Sequence, residues 1–88
     1  MQEVWKFPLP MHGSAEVLMP VDARVIHVGV QGNRICLWAL VSPDAEKTVR
    51  QFRVVGTGWP MTKVGRHLGT VITGTYVWHV FAVPETDE

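Results

Sequence analysis

Residues 25–41 read VIHVGVQGNRICLWALV, two apolar runs separated by Gly32-Asn33. Glycine and asparagine suit a two-residue hairpin turn, because both tolerate the positive φ angles that primed turns require. A two-residue loop pairs Gln31 with Arg34, and the same register sets His27 opposite Trp38. One face of this hairpin then carries Ile26, Val28, Val30, Ile35, Leu37 and Ala39. The other face is also largely apolar, so the stretch predicts a central hairpin that a second layer or another subunit covers on both sides.

A second hairpin is predicted around Gly74-Thr75, where two apolar runs are again joined by turn residues. The predicted pairs across it are Ile72 with Val77, Thr70 with His79, and Leu68 with Phe81. Neither face of this hairpin is plainly polar. Two hairpins with two apolar faces each, in so short a chain, predict a compact fold that uses one surface for self-association.

Apolar residues recur with period two along nearly the whole chain, and no stretch long enough for a packed helix shows the 3.6-residue period. The pattern predicts an all-β fold, a small antiparallel β-sandwich or half-open barrel built from β-hairpins. The predicted strands cover residues 4–9, 15–19, 24–31, 34–41, 49–55, 68–73 and 76–83. Ser42-Pro43-Asp44 resembles a helix start, so at most one short helical turn is expected there.

Length and composition predict a single domain over residues 1–88, with a flexible acidic tail at residues 85–88. Apolar residues make up 47% of the chain and charged residues 18%, which favours a homo-oligomer because so small a body has much surface to cover. The lone Cys36 allows no disulfide within the chain and indicates a reducing compartment. No signal-peptide pattern and no apolar run of membrane-spanning length occurs, so we expect a cytoplasmic protein without a membrane partner.

Charge is distributed unevenly along the chain although its net charge is zero. Residues 47–84 contain no carboxylate side chain, and their basic residues are Lys47, Arg50, Arg53, Lys63 and Arg66. Summed positive charge of this kind attracts phosphates, nucleotides or an acidic partner protein. Duplex nucleic acid is not favoured as a partner, because the chain is neutral overall and shows no recognition helix. An anionic small molecule, for instance of the cyclic nucleotide class, fits this charge pattern better.

The stretch GTGWPMTKVGRH at residues 56–67 is the most suggestive loop. Its glycines permit close backbone approach, and successive N–H groups with nearby basic side chains can cradle a phosphate, while Trp59 can stack a base. The loop does not match the Walker pattern, and the alternative is a plain hairpin connection. Arg50 and Arg53 point to opposite faces of one strand, so only one of them can join the loop. The predicted ligand-binding residues are Arg53, Thr57, Trp59, Lys63, Arg66 and His67.

No catalytic pattern accompanies this loop. The four histidines, at positions 12, 27, 67 and 79, do not fall at metal-ligand spacings, so neither a metal nor a cofactor is expected. Residues 47–84 lack the carboxylates that would orient a base or form an acid–base pair. His27 and His79 lie in apolar strands, where a neutral, hydrogen-bonded imidazole in the fold or at an interface is expected. We therefore expect a binding protein and not an enzyme.

Six short motifs along the chain are distinctive in combination. They are WKFPL at 5–9, HVGVQ at 27–31, LWALV at 37–41, FRVVGTG at 52–58, LGT at 68–70 and VWHVF at 77–81. With them nearly the whole chain resembles a family of short uncharacterised proteins, a domain of unknown function, from actinobacteria and their phages. The resemblance implies a phage or mobile-element setting and, for a phage-encoded protein, the host cytoplasm. It implies no established activity and labels no site.

Small oligomeric phage proteins with basic pockets include inhibitors that sequester nucleotide second messengers of bacterial anti-phage defence. By this analogy we expect sequestration of a phosphorylated small molecule, most sharply such a messenger. Loops from two subunits would surround one ligand, with Trp59 stacking on it and Arg53, Lys63 and Arg66 holding its phosphates. The alternatives are a protein-interaction module that inhibits a host or defence protein by surface binding, and a minor virion component.

Overall fold

A computed structural model of the chain describes residues 1–84, which form seven β-strands and no helix. The strands are β1 Glu3–Leu9, β2 Gly13–Pro20, β3 Arg24–Gln31, β4 Arg34–Val41, β5 Lys47–Gly56, β6 His67–Thr73 and β7 Tyr76–Ala82. The all-β prediction is confirmed, and β3 and β4 have the predicted bounds. The tail predicted at residues 85–88 lies outside the described residues.

The strands form two antiparallel sheets, one with the order β1-β4-β3 and one with the order β2-β5-β7-β6. Neither sheet closes on itself, so the fold is the sandwich of the two predicted architectures. The described residues span 39 × 36 × 16 Å, a thin body that is two sheets deep. Pro8 lies in β1 and Pro20 ends β2, and both are edge strands, where a missing N–H removes no ladder bond.

The β3–β4 hairpin has the predicted register, with Gln31 opposite Arg34 and His27 opposite Trp38. The ladder shifts between Val25 and His27, and this irregularity turns Ile26 outward, where it is 50% exposed. The prediction that Ile26 faces the same covered side as its neighbours is therefore wrong, because a one-residue shift exchanges the faces of a strand. His27, expected inside the fold or at an interface, is exposed beside the Trp38 ring.

The β6–β7 hairpin also has the predicted turn, with Ile72 opposite Val77 and Thr70 opposite His79. The predicted pair of Leu68 with Phe81 is wrong, because the ladder shifts between His67 and Gly69 and His67 takes the place opposite Phe81. A bulge of this kind inserts one residue without ending the strand. Leu68 instead packs against the core.

The core lies between the two sheets. Its fully buried side chains include Leu9, Met19, Ile35, Leu37, Val41, Phe52, Val54 and Val80. Gly69 lies against Val28, which brings β6 and β3 together on one side of the sandwich. The helical turn predicted after Ser42 is a four-residue turn, in which the Ala45 amide donates to the Ser42 carbonyl over 3.0 Å.

Candidate functional site

A cleft of about 460 Å³ opens where the connection between β2 and β3 passes the end of β7. We call it the arginine cleft, and its lining residues are Val21, Asp22, Ala23, Arg50, Gln51, Gly65, Arg66, Ala82, Val83 and Pro84. A smaller cavity of about 120 Å³ shares Ala23, Arg50, Arg66 and Ala82 with it and adds Arg24, Val25 and Leu68. Three arginines that are far apart in the sequence therefore meet at one end of the sandwich.

Backbone hydrogen bonds fix the segments that carry these arginines. The amide of Gly65 donates to the Ala82 carbonyl over 2.8 Å, and the Ala82 amide donates to the Arg66 carbonyl over 2.9 Å. The segment before β6 is thereby fastened to the end of β7. Arg50 donates through Nη1 to the Ala23 carbonyl over 2.7 Å, so its guanidinium ties β5 to the connection before β3.

The electrostatics of the cleft favour an anion. Asp22 is the one carboxylate among the described residues that line the two cavities, against the three guanidinium groups, which leaves a net charge of +2. Its Oδ1 accepts a hydrogen bond from the Ser42 amide over 3.3 Å. The Ser42 hydroxyl and then the Ser42 amide hold the pKa of Asp22 below its ordinary value of 3.8. The carboxylate is therefore engaged with Ser42, and the arginines keep their charge because a guanidinium does not deprotonate in proteins.

The predicted site residues divide between this cleft and the loop before β6. Arg66 lies in the arginine cleft. Arg53 does not, because its Nη1 donates to the Thr62 carbonyl over 2.8 Å and fastens the loop to the sheet. The Nε of Arg53 is buried without a hydrogen-bond partner among residues 1–84. Lys63 is exposed, with a φ of 57° in the left-handed region.

Two other predicted residues, Thr57 and Trp59, line a second cavity of about 180 Å³ between the loop and the outer face of the four-stranded sheet. We call it the loop pocket, and its lining residues are Val55, Gly56, Thr57, Gly58, Trp59, Met61, His79 and Phe81. The Trp59 ring lies edge-on to Trp78, with centroids 5.4 Å apart. It is 48% exposed, so a ligand can reach its surface.

A chain of hydrogen bonds crosses the outer face of this sheet beside the loop pocket. Thr57 Oγ1 lies 2.7 Å from His79 Nε2, and His79 Nδ1 lies 2.9 Å from Thr70 Oγ1. Thr70 Oγ1 in turn lies 3.0 Å from His67 Nε2. The chain thus connects two predicted residues, Thr57 and His67, through two that the sequence reading did not include. The predicted pairing of Thr70 with His79 is the signal from which this chain can be anticipated.

The sequence reading missed Arg24 and did not select Arg50. Arg24 lies before the carboxylate-free stretch, so an analysis of that stretch alone cannot include it. Arg50 diverges from Arg53 as predicted, and the consequence is that it joins the arginine cleft while Arg53 anchors the loop. Both assignments follow from contacts between strands that are distant in sequence.

No helix within the described part of the chain is long and apolar enough to cross a bilayer. Residues 1–84 also contain no group of three His, Cys, Asp or Glu side chains placed to hold a metal ion. No curated protein and no solved structure matches the chain. A family model, described as a domain of unknown function (DUF7352), matches residues 1–88. The whole chain therefore belongs to this family of domains of unknown function, DUF7352.

Proposed function

We propose that this protein binds and sequesters a phosphorylated small molecule, and that the arginine cleft holds the phosphate. The observation that carries the proposal is the meeting of Arg24, Arg50 and Arg66 around the arginine cleft and its adjoining cavity, where the carboxylate of Asp22 is engaged with Ser42. Guanidinium groups match phosphate oxygens with two parallel hydrogen bonds, which gives both strength and orientation. Binding of this kind needs no catalytic group, so the proposal is a binding protein and not an enzyme.

The size and charge of the cleft support a small ligand. A volume of about 460 Å³ lies in the range of small-molecule sites, which is roughly 300–1,000 Å³. A phosphate monoester carries about −1.5 to −2 charges at neutral pH, close to the net charge of the cleft and its adjoining cavity. A nucleic-acid duplex would instead require a longer row of basic side chains. A nucleotide or another phosphorylated metabolite is therefore the proposed class of ligand.

The sharpest form of the proposal is that the ligand is a nucleotide second messenger of bacterial anti-phage defence. This form depends on the phage or mobile-element setting implied by the resemblance, and the setting remains a prediction. The protein would then act in the host cytoplasm by lowering the free concentration of the messenger.

Self-association is part of the proposal. Leu18 and Val49 face each other across β2 and β5 on the outer face of the four-stranded sheet, and they are 59% and 54% exposed. Ile72 on β6 is also exposed. Apolar side chains at these positions favour contact with a second copy, because contact removes them from water. Light scattering coupled to size exclusion tests the point, and substitution of Leu18 by Glu should yield a monomer if these side chains form the contact.

Thermal unfolding with and without added ligands tests phosphate binding. The probes are inorganic phosphate, pyrophosphate, cyclic dinucleotides and cyclic ADP-ribose isomers, and the ultraviolet absorbance of the purified protein reports nucleotide carried through purification. A ligand present at 100 times its Kd stabilises the folded state by about 2.7 kcal/mol. At about 4–8 °C per kcal/mol for a domain of this size, the expected rise in Tm is roughly 10–20 °C.

Variants test whether the rise in Tm comes from binding in the arginine cleft. Arg24→Ala and Arg66→Ala should each weaken binding by about tenfold to a hundredfold, the usual worth of a charged hydrogen bond. The matched control is Lys6→Ala, which removes one positive charge from an exposed position on β1, outside the arginine cleft and its adjoining cavity. Phosphate also stabilises proteins through exclusion from their surface, and that effect should be equal in all three variants. The proposal would be refuted if no phosphorylated probe raised the Tm of the folded parent protein by more than it raises the Tm of Arg24→Ala and Arg66→Ala.

The second candidate function is a protein-interaction module that inhibits a host or defence protein. The exposed apolar side chains Leu18, Val49 and Ile72 favour it, because they lie on a sheet face and outside both cavities. In that case a partner captured from the host should be released by the Leu18→Glu change and retained by Arg66→Ala. Capture of no host protein, with phosphate binding lost in Arg66→Ala and kept in Leu18→Glu, would instead favour the small-molecule function.

A further inference from the structure

We propose that the loop pocket is a second binding site, which takes a flat, uncharged heteroaromatic ring with a hydrogen-bonding edge, such as a nucleobase. None of its lining residues lines the arginine cleft. The inference therefore stands apart from the phosphate site and holds whether or not one ligand reaches both.

Trp59 is fixed as a stacking wall before any ligand arrives. Its amide donates to the Gly56 carbonyl over 3.0 Å, which closes a tight turn, and its ring lies directly on Gly56. A side chain at position 56 would begin 2.9 Å from Trp59 Cε2, so the ring takes this position because residue 56 is glycine. The Trp78 and His12 rings hold it from other sides, with centroids 5.4 and 5.9 Å from its own. A wall fixed in advance loses little freedom on binding.

The rest of the lining suits a ring and not a whole nucleotide. Val55 is buried at the base of the pocket, and Met61 and Phe81 complete its apolar surface. The volume of about 180 Å³ is below the range for drug-sized ligands, so a single ring system is the largest group that fits. Met61 is exposed, and a flexible thioether adapts to rings of different outline.

The hydrogen-bond chain supplies a polar edge that works in two directions. In one direction the Thr57 hydroxyl donates to His79 Nε2, His79 Nδ1–H donates to Thr70, and Thr70 donates to His67 Nε2. Thr57 then offers the pocket a lone pair. In the other direction His67 donates to Thr70, Thr70 to His79 Nδ1, and His79 Nε2–H to Thr57. Thr57 then has its own proton free to donate to the pocket.

Both directions are chemically consistent, since Thr70 donates once and accepts once in each, and each neutral imidazole carries one proton, while Thr57 keeps either a lone pair or its proton for a ligand. The edge of the pocket therefore complements either an acceptor or a donor on the bound ring. We expect the site to accept several bases with similar affinity, because stacking is tolerant of base identity and the polar edge is reversible.

The test uses the four uncharged ribonucleosides, adenosine, guanosine, cytidine and uridine, as probes of the full-length protein in an NMR titration. The expected result is a saturable shift of the Trp59 indole N–H and of the backbone amides of residues 56–61, with similar Kd values for the four probes. Inorganic phosphate, titrated separately, should shift the NMR signals of Arg66 and leave the signal of the Trp59 indole N–H unchanged. The two titrations therefore fail or succeed independently of one another.

Three variants test whether the ring of the bound nucleoside lies in the loop pocket, against Trp59 and Thr57. Trp59→Leu should weaken nucleoside binding by about 5- to 150-fold, the measured range for loss of a stacking partner, and Trp59→Phe should restore most of it. Thr57→Val keeps the shape of the side chain and should weaken binding and separate the Kd values of the four bases. The matched control is Tyr76→Leu, which removes another exposed aromatic ring outside the loop pocket and should change nothing.

Three outcomes would overturn the proposal. The first is no saturable shift with any nucleoside, in protein whose spectrum is that of a folded domain. The second is a larger loss in Tyr76→Leu than in Thr57→Val, because Tyr76 lines an adjacent cavity of about 200 Å³ that shares Gly56, Thr57 and Trp59 with the loop pocket and would then be the binding place. The third is a Trp59→Phe variant that binds no better than Trp59→Leu.

Discussion

Replacement of Gly69 by alanine tests how closely the two sheets approach each other. The added Cβ would stand 2.8 Å from Val28 Cβ and 3.0 Å from Val28 Cγ2. Carbon atoms pack best at about 3.5–4.0 Å, so the strands must separate by roughly 0.7 Å or more. Val28 Cβ is attached directly to the β3 backbone, and rotation of the side chain cannot remove it. The strain therefore passes to the backbone of one of the two sheets.

The expected cost follows from two opposing terms. Overpacking of a close contact typically costs about 1–3 kcal/mol. Replacement of glycine by alanine also reduces the conformational freedom of the unfolded chain, which stabilises the folded state by about 0.4–1 kcal/mol. The expected net loss in the free energy of unfolding is about 1–2 kcal/mol, which corresponds to a fall in Tm of roughly 4–16 °C at about 4–8 °C per kcal/mol.

Gly29→Ala is the matched control. An alanine Cβ there would stand 2.9 Å from His27 Nε2, a similar distance, but that atom is the far end of an exposed side chain that can move away. Urea unfolding followed by circular dichroism should therefore show little change for Gly29→Ala and a clear loss for Gly69→Ala. Adding Val28→Ala to Gly69→Ala should cost only slightly less than the sum of the single changes, because alanine removes the contact with Cγ2 at 3.0 Å and keeps the contact with Cβ at 2.8 Å. Equal stabilities of the two glycine variants would refute the close approach of β3 and β6.

Three further predictions concern the sites. The pKa of Asp22 is lowered in the folded state, so the stability that its carboxylate contributes is present above the ordinary pKa of 3.8 and is lost as the pH falls through the lowered pKa. By urea unfolding, Asp22→Asn should therefore be less stable than the parent at pH 7, and this difference should shrink as the pH falls below 3.8. Gly56→Ala should displace the Trp59 ring, change the near-ultraviolet circular dichroism and weaken nucleoside binding. A Gly56→Ala variant that binds nucleosides like the parent and has the same spectrum would contradict the contact between Gly56 and the Trp59 ring. Raising the salt from 0.1 to 1 M shortens the Debye length from about 10 to about 3 Å, so phosphate affinity in the arginine cleft should fall several-fold and nucleoside affinity should not.

The fold could be predicted from the sequence because its strongest signals are local. The register beside each hairpin turn follows from the two-residue length of its loop, Gly32-Asn33 or Gly74-Thr75. The period-two recurrence of apolar residues indicated every strand. The bulge at Leu68 could not be predicted in this way. It lies beside the contact of Gly69 with Val28, which joins strands about 40 positions apart in the chain, and the length of a hairpin loop carries no information about such a contact.

The candidate sites likewise divide into a part that local sequence predicts and a part that depends on contacts between distant strands. The loop before β6 was identified by its own residues, and Thr57 and Trp59 do meet in one pocket. The arginine cleft could not be recognised, because Arg24 and Arg66 become neighbours through the packing of the two sheets. A count of charges along a contiguous stretch therefore predicted the attraction for anions but not the place where the arginines meet.

The bulge in β6 determines which histidine the sheet presents. If the same sequence formed a regular ladder with no bulge, Leu68 would stand opposite Phe81 and His67 opposite Ala82, whose side chain faces the core. His67 would then be lost from the outer face, and Thr70 would have no second imidazole to bind. Deletion of Leu68 would remove the bulge and leave His67 directly before Gly69, still opposite Phe81 and within reach of Thr70, with loss of the Leu68 contact with the core. Homologues of the same length whose β6 pairs with β7 in a regular ladder should lack the His67 end of the polar edge while keeping the same sandwich.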